Sequence, residues 1–146
     1  MAVFLDTNIL VYAFDRDEPV KQARARAALG ARRGSFTVST QVLGELFVVL
    51  TRKLAHPLTH ERAARVIDAV TTFPVVRIDA RLARRSIATA GRHQLSLWDA
   101  LILEAAVEAG CEELWTEDLA TGATIRGVRI VNPLVGEVRS GPDDPG

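Results

Sequence analysis

The stretch A-V-F-L-D-T-N-I-L-V-Y-A-F at residues 2–14 decides the fold. Residues 2–5 are a short apolar run that reads as a buried strand, and Asp6-Thr7-Asn8 reads as the turn after it, opening a short helix that reaches Phe14. Working outward, Pro19 stands near the start of a second helix over Val20–Arg33, and Ser35–Ser39 is a second strand. A third helix follows from about Gln41 to Leu54 and stops before Pro57; Leu43, Phe47, Leu50 and Leu54 recur at helical spacing and predict its core-facing stripe. Further helices are predicted over 59–72, 80–92 and 97–109, and strands near 75–78, 113–116 and 128–131. Strands that alternate with helices in this way predict an α/β domain of three layers, α/β/α, around a central, mostly parallel sheet.

Composition narrows the class further. The 146 residues suit a single domain, expected over 1–139, with Ser140–Gly146 read as a disordered tail. Cys111 is the only cysteine, which excludes an internal disulfide framework and any zinc site built on clustered cysteines. No apolar run approaches the roughly 20 residues of a membrane span, so a soluble, unprocessed, cytoplasmic protein without a membrane partner is expected. Zero net charge hides an asymmetry: residues 16–65 carry ten basic against four acidic groups, and residues 99–146 carry three against ten. Sixteen of the 18 cations are Arg, whose planar fork suits phosphate, so a nucleic-acid partner is compatible with the chain. The arginines at 24, 26, 32, 33, 81, 84, 85 and 92 are read first as solvated helix faces and second as a grip on RNA backbone.

In an open α/β sheet, ligands bind beyond the carboxyl ends of the strands. Asp6 ends the first strand, and Asp118 lies two residues past the strand that includes Trp115 and Thr116. Asp99 sits in the first turn of a helix that must begin at the same edge, because a helix feeding a parallel strand runs antiparallel to it. Glu45 lies about one helical turn, on the order of 6–8 Å, beyond the second strand. Each has an ordinary explanation taken alone, as a helix cap, a turn residue or a solvated flank. Together, four carboxylates in one partly buried place repel one another unless a cation neutralises them. Oxygen-only ligands favour Mg²⁺ or Mn²⁺ over zinc, and such a site suits phosphodiester hydrolysis. Thr7, Asn8 and Thr116 offer neutral hydrogen bonds beside it. His56, His60 and His93 are read as surface or loop residues, and Trp98 and Trp115, which flank the acidic positions in sequence, first as mainly core and second as surfaces for base stacking. No P-loop, dinucleotide fingerprint or nucleophile elbow is present.

Four blocks carry a family resemblance: F-L-D-T-N-I-L-V-Y-A-F-D at 4–15, S-T-Q-V-L-G-E-L at 39–46, S-L-W-D-A-L-I at 96–102 and L-W-T-E-D-L-A-T-G at 114–122. In this order they resemble the PIN domain, and within it the VapC-type ribonuclease toxins of bacterial toxin-antitoxin pairs; the likeness runs from residue 3 to about 134. The resemblance implies a Mg²⁺- or Mn²⁺-dependent endoribonuclease, a homodimer, inhibited by a cognate VapB-like antitoxin whose C-terminal segment covers the active site. By position it makes Asp6 and Asp99 the principal metal ligands, with Glu45 and Asp118 completing the cluster. Thr116 would hydrogen-bond nearby, and Asn8 would orient Asp6 or the bound water. Glu117 adds a carboxylate next to Asp118; the motif favours Asp118, and the number of metal ions stays open. Two other readings compete. A haloacid-dehalogenase-like phosphatase also starts from a strand-end aspartate, but its D-x-D-x-T pattern fails at Asn8 and Leu10. A catalytically silent PIN-like module that binds RNA or protein is the alternative from outside the enzymes.

Overall fold

The computed structural model describes residues 1–32 and 35–135. Arg33, the end of the expected domain and the expected tail over 140–146 lie outside those residues. Among the described residues six strands form one sheet in the order β3-β2-β1-β4-β6-β5: β1 (Val3–Leu5), β2 (Phe36–Ser39), β3 (Val75–Val76), β4 (Glu113–Trp115), β5 (Thr124–Ile125) and β6 (Val128–Val131). Every pairing is parallel except β5 with β6 at one edge. The central strands β1, β2 and β4 are buried at every position, as strands covered on both faces must be.

Among the described residues six α-helices flank the sheet: α1 (Thr7–Tyr12), α2 (Pro19–Ala31), α3 (Thr40–Val48), α4 (His60–Val70), α5 (Ala80–His93) and α6 (Leu97–Glu108). α6 packs on β2, β4 and β6 and is backed by α5, while α1 to α4 pack among themselves with α3 on β2. The result is the three-layer α/β/α arrangement predicted. α6 is apolar nearly all round, with Ala100–Ala106 buried without interruption, because it lies between the sheet and α5. Ser39, Thr59, Asp79 and Ser96 cap α3, α4, α5 and α6 through side-chain oxygens that accept from backbone N–H groups in the first turn.

The third helix departs from expectation in two ways. Its deepest residues are Val42, Leu46 and Leu50, all fully buried; Leu50 is core as expected, whereas Leu43, Phe47 and Leu54 only flank that line, so over the first two turns the stripe runs one position earlier than predicted. Past Val48 the helix widens into a π-turn over Val49–Lys53 before Leu54 turns extended. Thr51 there bonds the Phe47 carbonyl at 2.8 Å, competing with the regular ladder. The Leu50 carbonyl is taken by the Leu58 amide at 2.9 Å, which folds the following loop back on the helix.

The strand that sequence patterning does not reveal, β5, closes a hairpin with β6 through Arg126 and Gly127, both at positive φ (54° and 80°). That pair of angles belongs to the tight turn whose twist matches a hairpin. Arg126 tolerates it because its guanidinium is anchored: Nε and Nη2 donate to Glu104 at 2.8 and 3.1 Å. Glu104 is fully buried on α6 and also accepts from Arg85 at 2.8 Å and Thr89 at 2.6 Å. Burial works to raise its carboxyl, but the bonds from Arg126, Thr89 and Arg85 outweigh it and hold Glu104 at about 2. One buried carboxylate thus fastens α5, α6 and the β5–β6 hairpin together.

Candidate active site

Strand order reverses between β1 and β4: the chain runs outward from β1 to β2 and β3, then returns to lay β4 on the other side of β1. Such a switch point opens a crevice at the strands' carboxyl ends. Asp6 leaves β1 there and is pinned beside β4 by its amide, which donates to the Trp115 carbonyl at 3.0 Å. The Asp6 carboxylate is nearly buried and fully engaged by neutral donors, the Thr7 amide at 2.6 Å and the Thr116 hydroxyl at 2.7 Å. The same Thr116 oxygen accepts from the Asp118 amide at 3.0 Å, so one threonine positions both aspartates.

Glu45 enters from α3. Thr7 Oγ1 donates to one of its oxygens at 2.8 Å, and Gln41 Nε2, one turn back on the same helix, donates to the other at 3.1 Å. Asp118 accepts from Asn8 Nδ2 at 3.1 Å. Asp6, Glu45 and Asp118 line one cleft of about 730 Å³, with Thr7, Asn8, Tyr12, Asp15 and Lys53 also on its walls. Asp99, at the third position of α6, is not on that lining, yet it stands close enough for its charge to act on Asp118.

Electrostatics record the crowding. Burial pushes the Asp6 carboxyl up to about 6; the hydrogen bonds from Thr116 and Thr7 pull it back, and the charges of Asp118 and Glu45 add to the rise. Asp118 is raised as well. Although the residue is exposed overall, protein around its carboxylate removes part of its hydration, and Asp99, Glu117 and Glu45 repel it, against the bond from Asn8.

Glu117 is used elsewhere. Its two oxygens accept from Tyr12 Oη at 2.9 Å and Lys21 Nζ at 3.2 Å, and Lys21 also lies over the Tyr12 ring, 4.7 Å from its centre. This three-residue latch ties the loop after β4 to α1 and α2, and it leaves Asp118 as the member of the pair that lines the cleft.

Asn8, expected to orient Asp6 or a bound water, donates its amide N–H to Asp118 and not to Asp6. His56, His60 and His93 are exposed, and His56 bonds Asp17 at 2.8 Å. Several of the arginines considered for RNA have structural partners: Arg24 donates to the Leu134 carbonyl, Arg26 to the Ala13 carbonyl, and Arg81 and Arg85 to Glu108. Trp115 is buried as expected, with its indole N–H on Glu113, but Trp98 is not in the core; it is 63% exposed. The second position of α6 carries it outward while Ala100 and Leu101 turn in. Sequence reading missed Gln41, Tyr12 and Lys21. Gln41 is four residues before Glu45, a spacing that could have found it; nothing local links Tyr12 or Lys21 to Glu117.

The donor set suits a hard divalent cation: oxygen ligands only, mutually repelling, with Asp6 raised. Two buried amide oxygens beside them, Asn8 Oδ1 and Gln41 Oε1, have no hydrogen-bond partner and could accept from waters carried by such an ion. The side chains are not drawn together for it. Among the described residues no three His, Cys, Asp or Glu side chains are grouped so as to hold a metal ion, and three of the four carboxylates are occupied by the neutral donors named above.

The sequence profile of the PIN domain matches residues 3–121, most of the chain and all four acidic positions. The chain belongs to the PIN domain family. The comparison with curated proteins gives no match. Among solved structures, a toxin-antitoxin complex from Klebsiella pneumoniae is similar over 91% of this chain and 98% of its own, at 29% identity and a TM-score of 0.69. VapC20 of Mycobacterium tuberculosis, described as a Sarcin-Ricin loop cleaving toxin, is 20% identical over 80% of this chain and 90% of its own, with a TM-score of 0.65. A DNA-bound VapBC from Salmonella typhimurium covers 91% of this chain and 98% of its own, at 20% identity and a TM-score of 0.64. At 20% identity these last two show the PIN fold alone.

Proposed function

We propose that this PIN domain is a Mg²⁺- or Mn²⁺-dependent endoribonuclease and the toxin of a VapBC-type pair. The observation that carries the reading is the carboxylate cluster at the switch point. Two acidic side chains that follow strand ends, Asp6 and Asp118, and two carried by helices, Glu45 and Asp99, act on one another there, and burial together with those charges pushes Asp6 up to about 6. A fold keeps such destabilising repulsion where function needs it. The similar structures named above, one described as a Sarcin-Ricin loop cleaving toxin, one as a toxin-antitoxin complex and one as a DNA-bound VapBC, support the same assignment.

In this reading Asp6 and Asp99 are the principal metal ligands, and Asp118 and Glu45 complete the set. A divalent cation bound there supplies Lewis acidity toward a phosphoryl oxygen and lowers the pKa of a bound water. The protein's own part is orientation. Thr116 and the Thr7 amide fix Asp6, Thr7 and Gln41 fix Glu45, and Asn8 fixes Asp118, while the Tyr12–Lys21–Glu117 latch keeps the loop that carries Asp118 against α1. The partners proposed are RNA as substrate, a VapB-like antitoxin and a second copy of the chain, in the cytoplasm. Among the described residues no helix is long and apolar enough to cross a membrane.

A silent binding module is the second reading, favoured by the absence of a ready-made three-ligand group among the described residues. Incubating purified protein with total RNA in Mg²⁺ or EDTA, beside Asp6→Asn and Asp99→Asn, separates the two. Nuclease chemistry predicts cleavage by the parent protein in Mg²⁺ alone and none by either variant. Equal cleavage in EDTA, or by both variants, contradicts it, and no cleavage under any condition supports the silent module.

A further inference from the structure

Trp98 is the one aromatic among the large exposed hydrophobic residues of the described chain. The seven others, including Tyr12 and Trp115, are buried or half-buried in the apolar core or packed against it. An indole left 63% in water gives up most of the burial that makes tryptophan valuable to a fold, so packing within this chain does not account for its place. Its position does. Trp98 immediately precedes Asp99, and its carbonyl accepts from Gln41 Nε2 at 3.5 Å, the same amide nitrogen that holds Glu45 at 3.1 Å. One glutamine therefore ties the backbone under the indole to a carboxylate of the cluster.

We infer that Trp98 is a stacking platform for one unpaired nucleobase next to the phosphodiester held at the carboxylate cluster. The inference rests on the nuclease reading above. Four carboxylates outnumber the charges of one divalent ion, so the site as a whole attracts the sugar-phosphate backbone little and binding energy must also come from elsewhere. Among the described residues Lys53 is the one lysine or arginine on the cleft's wall, and Lys21 is engaged by Glu117. A flat aromatic face supplies attraction independent of charge, and every base has a π face to offer. In a duplex those faces are already stacked on neighbouring pairs; an unpaired base has a free face to give. A protein partner would more readily use a continuous apolar patch, whereas only Leu97, 38% exposed, adjoins the indole in sequence.

The test compares the full chain with Trp98→Ala and Trp98→Phe on a cleavable RNA oligonucleotide and on copies carrying one abasic residue near the cut. Stacking of this kind predicts a fall in kcat/KM of about 5- to 150-fold for Trp98→Ala, carried by KM, with Trp98→Phe retaining most of the activity. One abasic position should depress the parent protein to the level of Trp98→Ala and depress that variant no further. In EDTA, where nothing is cut, the intact oligonucleotide should quench the exposed indole's fluorescence, and Trp98→Phe should abolish the quench while buried Trp115 still emits. Parent-like KM for Trp98→Ala, or equal abasic losses in both proteins, overturns the inference. So does a change confined to antitoxin affinity or oligomeric state, which would place Trp98 in a protein contact. Quenching without cleavage by the parent protein would sink the nuclease reading and leave the platform standing; cleavage without quenching would do the reverse.

Discussion

Asp6 makes the strongest quantitative prediction, because its environment works against its own charge. The carboxyl titrates near 6 in the fold and at 3.8 in an unstructured chain. Folding therefore binds its proton more tightly, so the contribution to stability is whole below about pH 4 and is lost as pH rises through 6. At about 1.36 kcal/mol per tenfold change in proton affinity, the gap costs the metal-free protein about 3 kcal/mol above pH 7, a large fraction of a small domain's stability. Asp6→Asn removes the charge. It also leaves one oxygen where two now accept from Thr7 and Thr116, at a loss of about 1 kcal/mol. The variant is expected to be about 2 kcal/mol more stable than the parent protein at pH 7.5 in EDTA, and within about 1 kcal/mol of it at pH 4. Denaturant unfolding at half-unit pH steps reads this difference directly and cancels titrations shared by both proteins, Glu104 among them. Excess Mg²⁺ should stabilise the parent at pH 7.5 and leave the variant unmoved, since a ligand stabilises only the state that binds it. A difference between the two proteins that stays constant from pH 4 to pH 8 would refute the reasoning.

Two further perturbations test other parts of the structure. Tyr12→Phe removes a hydroxyl that Glu117 accepts from, loosening the loop before Asp118; the Mg²⁺ concentration for half-maximal RNA cleavage should rise about 10-fold with little change in Tm, and an unchanged Mg²⁺ profile would show that the latch does not position Asp118. Glu104→Ala strips Arg85, Arg126 and Thr89 of their shared acceptor and empties a buried site. Unfolding should be easier by about 3 kcal/mol, and the parent protein should lose the same contribution as pH falls from 4.5 through about 2, where Glu104 takes up its proton. Equal stability of the two proteins at pH 7 would show that the clamp is dispensable.

Much of this molecule was legible because the central strands are buried on both faces. Short apolar runs such as Val3–Leu5, followed by capping residues, admit few readings, and the alternation with helices leaves the strands' carboxyl edge as the place to look for Asp6, Glu45, Asp99 and Asp118. What escaped was held by contacts far apart in sequence. The turn at Arg126-Gly127 lacks the usual Asn or Asp, and Arg126 adopts a left-handed backbone because Glu104 grips its side chain from another element. Tyr12 and Lys21 find Glu117 across more than ninety positions, which no spacing rule anticipates. Trp98 looked like core by composition alone, since most aromatics in a domain poor in them are buried; only the orientation of α6 on the sheet shows it facing water. The stripe of α3 was misplaced by one position because Val42, Leu43, Leu46 and Phe47 are all apolar, and sequence does not say which pair points inward.

Locating Mn²⁺ by anomalous scattering in crystals of this chain tests the carboxylate cluster most directly. The account predicts one or two peaks at the switch point, bounded by Asp6, Asp99 and Asp118 with Glu45 beside them, and loss of those peaks in Asp6→Asn. Saturating Mn²⁺ that leaves this position empty, or that occupies only sites elsewhere on the surface, would contradict it.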